Sequence, residues 1–208
     1  MEEMKKPIEL VVATTNKGKL REIKEFLAGL NVCVTSLADY PGAPIIEEDG
    51  KTFSQNALKK AATIAFYTEK LTLGEDSGLE VKVLHNKPGI FSARFSGSLR
   101  EQATDAKNNA KLVRLLRGVP LKKRQARYRC FAALVDPKKK IIDIVSGACS
   151  GVITTQARGK NGFGYDPLFL IKRYGKTFGE LDPAIKARIS HRARALNKVK
   201  KLLTLYKP

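Results

Sequence analysis

Two adjacent acids, Glu75 and Asp76, lie between an apolar stretch and the small residues Ser77 and Gly78 in the segment LGEDSGLEV. Acids, serine and glycine are frequent in turns, so the pair suits a turn that ends a strand. Carboxylate oxygens are also the ligands that Mg²⁺ prefers, and such an ion could hold an anionic substrate. The segment alone leaves the turn and the metal site as alternatives.

A second acidic pair, Glu47 and Glu48, directly precedes a predicted helix in the segment IIEEDGKTF. Acids near a helix N-terminus are expected from the helix dipole alone. They would equally suit magnesium, which usually keeps some waters and substrate phosphates among its ligands. This pair therefore fits a structural role and a metal-binding role.

The segment ATTNKGK lies at the junction of the first predicted strand and the first predicted helix. Backbone N–H groups at a helix start favour an anion, and Lys17 and Lys19 add positive charge there. It is not a Walker P-loop, because the earlier glycine is missing and Leu20 replaces the Ser or Thr that would hold magnesium. The segment predicts a phosphate site in outline, with a capped helix and solvated lysines as the alternative.

The segment NGFGYDPLF has glycines on both sides of Phe163, which would let the backbone approach a ligand closely. Phe163 or Tyr165 could stack on a planar base. Asp166 could accept a hydrogen bond from the base or lie near a second ion. The structural alternative is a turn that leads into a core strand.

Cationic residues surround a predicted helix start at Ser190, namely Lys186, His191 and Arg192. Cations oppose the dipole at a helix N-terminus, so His191 and Arg192 at this helix start indicate an anionic or carbonyl-bearing ligand. The alternative is a structural role, which is the more frequent one for a lone histidine. The other histidine, His85, lies in a predicted loop without such neighbours, and we assign it no role.

The elements that must position these residues alternate between strands and helices and then include a hairpin. That order predicts an α/β fold with a mixed sheet. The predicted elements are strands at 8–14, 32–37, 71–76 and 79–84, helices at 17–30, 53–70 and from Thr104 to about Arg117, a loop at 87–97, a hairpin of 126–135 and 140–153, a loop at 160–169 and a final helix after Ser190.

The bulk composition limits the classes of protein to consider. A chain of 208 residues suits one domain, or one with two lobes. The net charge of +19 would attract nucleotides, RNA, DNA or anionic lipid. Because the basic residues are spread along the chain, a solvated basic surface is the alternative. We find no apolar run long enough to span a bilayer and no signal-peptide pattern. The three separated cysteines favour a reduced, cytoplasmic protein.

Six motifs together resemble the inosine triphosphate pyrophosphatase family (RdgB/HAM1-like), whose house-cleaning enzymes hydrolyse non-canonical purine nucleoside triphosphates. The motifs occur in the family's order and cover nearly the whole chain: ATTNKGK, EEDGKTF with a following NA, EDSGLEV, PGIFSARFSG, GFGYDP and SHRARAL. Glu75 stands where the family commonly has aspartate, which leaves Asp76 as the stronger candidate for the chemistry.

The resemblance implies an α/β fold in which a long twisted mixed sheet and flanking helices form two lobes around a nucleotide-binding cleft, as a single domain over 1–208. It implies hydrolysis of ITP, dITP or XTP to the monophosphate and pyrophosphate, with Mg²⁺ as cofactor, by a homodimer. We expect no membrane as a partner, and a nucleic acid would not be required.

The resemblance also implies roles for individual residues. Asp76 would be catalytic and a metal ligand, and Glu48 would be the second ligand, with Glu47 as its alternative. The implied substrate-binding residues are Thr14, Thr15, Asn16, Lys17, Gly18 and Lys19 for the triphosphate, Ser77, and Phe163, Gly164, Tyr165, Asp166, Lys186, His191 and Arg192 for the base and sugar-phosphate.

Two other functions remain as alternatives. A pyrophosphatase for other modified nucleotides, such as pyrimidine analogues, would use a similar scaffold. A basic RNA- or DNA-binding protein without hydrolase activity would use the +19 charge as its main means of binding.

Overall fold

The fold is α/β, and the computed structural model of the protein describes residues 6–97 and 103–206. The strands are β1 (Ile8–Val12), β2 (Val32–Ser36), β3 (Thr72–Val81), β4 (Lys87–Pro88), β5 (Gln125–Asp136), β6 (Ile141–Ile153), β7 (Phe169–Ile171) and β8 (Lys176–Thr177). The helices are α1 (Lys17–Leu27), α2 (Phe53–Thr68), α3 (Asp105–Leu115), α4 (Pro183–Ile189) and α5 (His191–Leu205).

The strands form one mixed sheet in the order β2-β1-β3-β5-β6-β7-β8, with β4 paired to β3. β1 is parallel to β2 and to β3, whereas β4, β7 and β8 pair antiparallel with their neighbours. The parallel β1–α1–β2 unit and the mixed sheet confirm the predicted fold class. Within the described ranges, no helix combines the length and the apolarity that a membrane crossing needs.

The described chain divides into two compact units. One unit comprises residues 6–76, 131–146 and 195–206, and the other comprises 77–97, 103–130 and 147–194. The single domain with two lobes around a cleft stays a prediction.

In the first unit, local sequence signals specify where α1 and α2 begin and which of their faces are buried. The Asn16 side chain accepts a hydrogen bond from Lys19 N (2.9 Å) and begins α1, as predicted. Thr52 caps α2 in the same way by accepting from Gln55 N. The predicted apolar stripe of α2 is buried: Phe53, Ala57, Ala61, Ile64 and Ala65. The alanines let β3 pass so closely that a Cβ on Gly74 would lie 2.5 Å from Ala61 N.

The second unit has its own core, built from β-strand and α3 side chains around two phenylalanines. Phe169 and Phe178 are fully buried, with ring centroids 5.1 Å apart. Leu112 on α3 and Leu116, which follows the last residue of the helix, belong to this cluster. Thr104 caps α3 by accepting from Lys107 N at 3.2 Å, and Ser190 caps α5 by accepting from Ala193 N at 3.1 Å, as predicted.

The largest correction concerns β3, which was predicted as two strands separated by a turn. It is one strand of ten residues, and Glu75 and Asp76 lie inside it, so the turn interpretation is wrong. Its second half is buried through Val81 rather than half-exposed. The position of β3 between β1 and β5 explains this, because a central strand keeps its hydrogen bonds through residues that favour turns elsewhere.

Smaller differences concern element ends and short elements. α1 ends at Leu27 rather than 30, because Gly29 takes a positive φ of 85° that ends the helix. Part of the predicted loop at 87–97 forms β4 and a 3-10 helix over Gly89–Arg94. α4 was not predicted, although Asp182 caps it and a proline occupies its first turn.

Candidate active site

In the first unit, two acids converge on a buried lysine that the sequence analysis missed. Lys60 Nζ lies 2.9 Å from Glu48 Oε1 and 2.9 Å from Asp76 Oδ1, and it donates to the Glu75 backbone oxygen at 3.1 Å. Glu48 lies in the loop before α2, Lys60 on α2 and Asp76 on β3. The cluster therefore joins two residues predicted as metal ligands.

Lys60 keeps its proton in this environment. Burial alone would lower the pKa of its ammonium, but the carboxylates of Asp76 and Glu48 outweigh burial and raise that pKa above the ordinary value of 10.5. Lys60 is consequently a fixed positive charge near neutral pH.

The second oxygen of Asp76 is also held. Asn56 Nδ2, one turn before Lys60 on α2, donates to Asp76 Oδ2 at 3.2 Å. Asn56 Oδ1 accepts from the backbone N–H of Gly50 at 2.8 Å. One amide thus connects Asp76 to the loop that carries Glu48, and the orientation of the Asp76 carboxylate is set from two sides.

Glu75 points to a different partner. Its Oε2 lies 3.1 Å from Lys19 Nζ, and only 1% of the Glu75 side chain is exposed. Lys17, in contrast, is exposed. Of the two lysines predicted for the triphosphate, Lys19 is held by its ion pair with Glu75.

The rest of the predicted phosphate segment surrounds the start of α1. Thr14 Oγ1 accepts from Asn16 N at 3.2 Å, which shapes the turn between β1 and α1. Thr15 is exposed, and Gly18 is half-buried. The structure therefore keeps Thr14 to Lys19 together at a helix N-terminus, as the sequence predicted.

The charges of this cluster suit a divalent cation beside a polyphosphate. Glu48 and Asp76 carry two formal negative charges against one from Lys60, so a triphosphate would add to a net negative charge. The oxygens of Glu48 and Asp76 can be no farther apart than twice 2.9 Å, because both contact one ammonium.

Within residues 6–97 and 103–206, no three His, Cys, Asp or Glu side chains are grouped so that they could hold a metal ion. A set of two carboxylates fits Mg²⁺, which takes substrate phosphates and waters as its other ligands. Of the acidic pair Glu47 and Glu48, Glu48 contacts Lys60, whereas Glu47 is exposed.

In the second unit, two cations lie over the ring of Phe163. Lys186 Nζ is 5.0 Å and Arg192 Cζ is 5.4 Å from the ring centroid. Phe163 itself is half-buried, and Arg192 Nη2 donates to Ser77 Oγ at 3.1 Å. Three of the predicted base-side residues therefore lie together, and Arg192 joins them to Ser77, the further predicted substrate contact.

Asp166 is engaged by the protein itself. Its Oδ2 accepts from Lys186 Nζ at 2.7 Å and from the Phe163 backbone N–H at 3.0 Å, and the residue is 3% exposed. This ion pair fixes Lys186 and the start of the glycine-rich loop at once.

His191 and Tyr165 are both buried against Tyr128. The rings of His191 and Tyr128 stack at 4.5 Å with an angle of 7° between them. Tyr128 Oη accepts from Tyr165 N at 3.1 Å, and burial, with Asp166 nearby, raises the pKa of the Tyr128 hydroxyl. Tyr165 donates its own hydroxyl to Ser92 O at 2.8 Å. Of the two rings predicted to stack on a base, the geometry thus favours the less buried Phe163.

The predicted site residues thus form two groups, one in each unit. The group in the first unit contains Thr14 to Lys19, Glu48 and Asp76, and the group in the second contains Ser77, Phe163 to Asp166, Lys186, His191 and Arg192. His85, to which we assigned no role, is exposed in a turn. Lys60 and Asn56 are the contributors that the sequence analysis missed.

Comparison with known proteins identifies the family. A model of the Ham1 family matches residues 10–202. The chain belongs to the Ham1 family. This membership confirms the resemblance found from the six motifs.

Named relatives and a solved structure agree with this Ham1 membership. A dITP/XTP pyrophosphatase from Geobacter sulfurreducens is 51% identical over 187 residues, which cover 90% of this chain and 92% of the relative. Another from Desulforamulus reducens is 47% identical over 196 residues, 94% of this chain and 96% of the relative. A HAM1 protein from Coxiella burnetii superposes with a TM-score of 0.86 at 38% identity, over 96% of this chain and all of that one.

Proposed function

We propose that this Ham1-family chain is a nucleoside-triphosphate pyrophosphatase that hydrolyses ITP, dITP and XTP to the monophosphate and pyrophosphate. The observation that carries the proposal is the buried contact of Lys60 with Glu48 and Asp76. Relatives named dITP/XTP pyrophosphatase at 47–51% identity over at least 90% of the chain support the substrate class.

Magnesium is the cofactor that the first-unit cluster suits. Glu48 and Asp76 would hold the ion, because their carboxylate oxygens meet at one buried lysine and Mg²⁺ prefers such oxygens. When bound, the ion would neutralise phosphate charge and polarise phosphate oxygens.

The chain's own residues supply the remaining chemistry of α–β phosphoanhydride hydrolysis. Asp76, oriented by Asn56 and Lys60, would take the proton from the attacking water. Lys60 keeps a positive charge beside that carboxylate, and Lys19 would stabilise the charge of the departing pyrophosphate.

The second-unit group would select the base. Phe163 would stack on the purine, while His191 and Arg192 would direct hydrogen-bond donors at the oxygen on position six of hypoxanthine or xanthine. Adenine has an amino group there, so each donor left unpaired would cost about 1–3 kcal/mol.

Homodimer formation and a cytoplasmic location belong to the same proposal and rest on the family resemblance and the cysteine pattern. Size-exclusion chromatography with light scattering would measure the mass of the particle and test the dimer directly.

Pyrophosphate release from ITP, XTP, ATP and GTP, with and without Mg²⁺, tests the proposed activity. We expect fast release from ITP and XTP with Mg²⁺, and a loss of at least about 100-fold in Asp76→Asn. Asp49→Asn is the matched control, because Asp49 lies in the same loop as Glu48 but in an exposed pair with Lys59.

Two results would contradict the proposal. Equal turnover of ATP, GTP and ITP would refute base selection. Nucleic-acid binding with a steep salt dependence, unchanged in Asp76→Asn and without pyrophosphate release, would favour the basic binding protein instead.

A further inference from the structure

We propose that α3 positions the base-side loop through Asp105 and Asn109, which hold the backbone of Gly164. These residues lie outside the set predicted from sequence, and their role rests on the proposed nucleotide pyrophosphatase. They are positioning residues, since the side chains act on the loop beside Phe163 rather than on the substrate.

Both polar backbone groups of Gly164 are bonded to α3. Gly164 N donates to Asp105 Oδ2 at 2.6 Å, and Asn109 Nδ2 donates to Gly164 O at 3.0 Å. Asp105 and Asn109 are four residues apart on one helix, which places them on the same face, one turn above the other. The helix therefore holds a single residue of the loop at two points.

Gly164 N is the second of three successive backbone N–H groups that donate to side chains. Phe163 N donates to Asp166, Gly164 N to Asp105, and Tyr165 N to the hydroxyl of Tyr128. Each of these successive N–H groups has a side-chain acceptor from a different part of the second unit.

A glycine at φ +63° has access to many other conformations when its partners are removed. Fixing it limits the directions in which the Phe163 ring can point. A ring that is already in place loses less conformational entropy when a base stacks on it, so this arrangement favours binding.

The neighbouring residue on α3 holds a second loop. Asn108 Oδ1 accepts from Ser96 N at 2.7 Å, and Asn108 Nδ2 donates to Ala93 O at 3.2 Å. The hydroxyl of Tyr165 reaches the same loop at Ser92 O. α3 thus holds both loops. Asn108 holds the loop that contains Ala93 and Ser96, and Asn109 holds the base-side loop at Gly164.

A positioning role and a purely structural role differ in their kinetic effect. A variant that only destabilises the fold lowers the fraction of active enzyme, which reduces apparent kcat and leaves KM unchanged. A variant that frees Gly164 weakens nucleotide binding, which raises KM while kcat at saturation changes little.

Steady-state kinetics with ITP on four variants separates these roles. We expect Asn109→Ala to raise KM about tenfold with kcat within about threefold of the wild type. Asn109→Asp, which keeps the shape but loses the donor, should be at least as impaired. Asp105→Ala should raise KM less, because Asp105 is exposed and water competes for the bond, and Asp105→Asn should restore part of the loss.

Thr104→Ala is the matched control for helix stability. It removes the N-cap of α3 without touching Gly164, so it should lower the melting temperature and leave KM unchanged. An unchanged KM in Asn109→Ala, or an equal rise in KM in Thr104→Ala, would overturn the proposal.

Calorimetric titration with IMP separates this proposal from the proposed activity. An IMP affinity that falls about tenfold in Asn109→Ala supports the positioning role even if the wild type releases no pyrophosphate. Equal affinity in the two proteins overturns it, whatever the wild type hydrolyses.

Discussion

Replacing Lys60 with methionine tests whether the buried ammonium organises the two acids. Methionine has a similar length and suits an apolar helix face, so Lys60→Met removes the charge with little change in volume. Glu48 and Asp76 would remain as two buried carboxylates without their shared partner.

The burial of all three side chains sets the expected cost. Only 8% of the Lys60 side chain, 11% of Glu48 and 7% of Asp76 are exposed. Removing one partner from such a buried ionic group costs about 3–5 kcal/mol. We expect about 3 kcal/mol at pH 7, because one carboxyl can relieve part of the repulsion by binding a proton.

Because a carboxyl can bind a proton, the loss of stability in Lys60→Met depends on pH. A carboxyl whose pKa rises in folded Lys60→Met recovers stability as the pH falls below that raised value, by up to about 1.4 kcal/mol per pH unit. The wild-type contribution of Lys60 behaves differently. Its pKa is raised in the folded state, so its contribution is complete below 10.5 and is lost only as the pH rises through the raised value.

Urea unfolding followed by circular dichroism at pH 5 and pH 7 measures both effects, with Lys59→Met as the control. Lys59 is the adjacent residue on α2 and pairs with Asp49 at 2.7 Å, but that pair is exposed, so water screens it and its loss should cost far less stability. If Lys60→Met and Lys59→Met unfold at the same urea concentration at pH 7, the contacts of Lys60 with Glu48 and Asp76 do not stabilise the fold, and the prediction is refuted. Mg²⁺ should stabilise Lys60→Met more than the wild type.

Three further predictions concern separate residues. Glu48→Gln should raise the Mg²⁺ concentration for half-maximal pyrophosphate release at least about tenfold, whereas Glu47→Gln should leave it unchanged. Gly74→Ala should lower the melting temperature, with a loss of about 1–3 kcal/mol, because the new methyl group would clash with the α2 backbone. Burial raises the pKa of Asp136, but hydrogen bonds from Tyr206 and the backbone outweigh burial and place that pKa below 3.8. In acid unfolding curves, the wild type should therefore be more stable than Asp136→Asn above pH 4 and lose this advantage at lower pH.

The sequence predicted those parts of the fold that local signals specify. Asn16, Thr104 and Ser190 marked helix starts correctly, because a capping side chain bonds an amide only a few residues away. The apolar stripe of α2 followed from its spacing.

The parts that failed depend on neighbours distant in sequence. Glu75 and Asp76 are of residue types that favour turns, but the partner strands on either side of β3 keep this segment extended. No local pattern could supply those partners.

Lys60 was missed although a signal was present. Asn56 and Lys60 are four residues apart and fall on the same face of α2 as Ala57, Ala61 and Ile64. A polar pair within an apolar stripe is expensive to bury unless something pairs with it. Such an interruption of a buried face is therefore a usable indication of an acidic partner elsewhere in the chain.

The side-chain amides of Asn108 and Asn109 constrain the number of residues in the first turn of α3. Consecutive residues of a helix point about 100° apart, so Asn108 and Asn109 can each meet a different loop only in one rotational setting of the helix. Inserting or deleting one residue between Thr104 and Asn108 would rotate both amides away from their loops together. Substitutions on the outer side of α3 are tolerable under this constraint, whereas changes in its residue count are not.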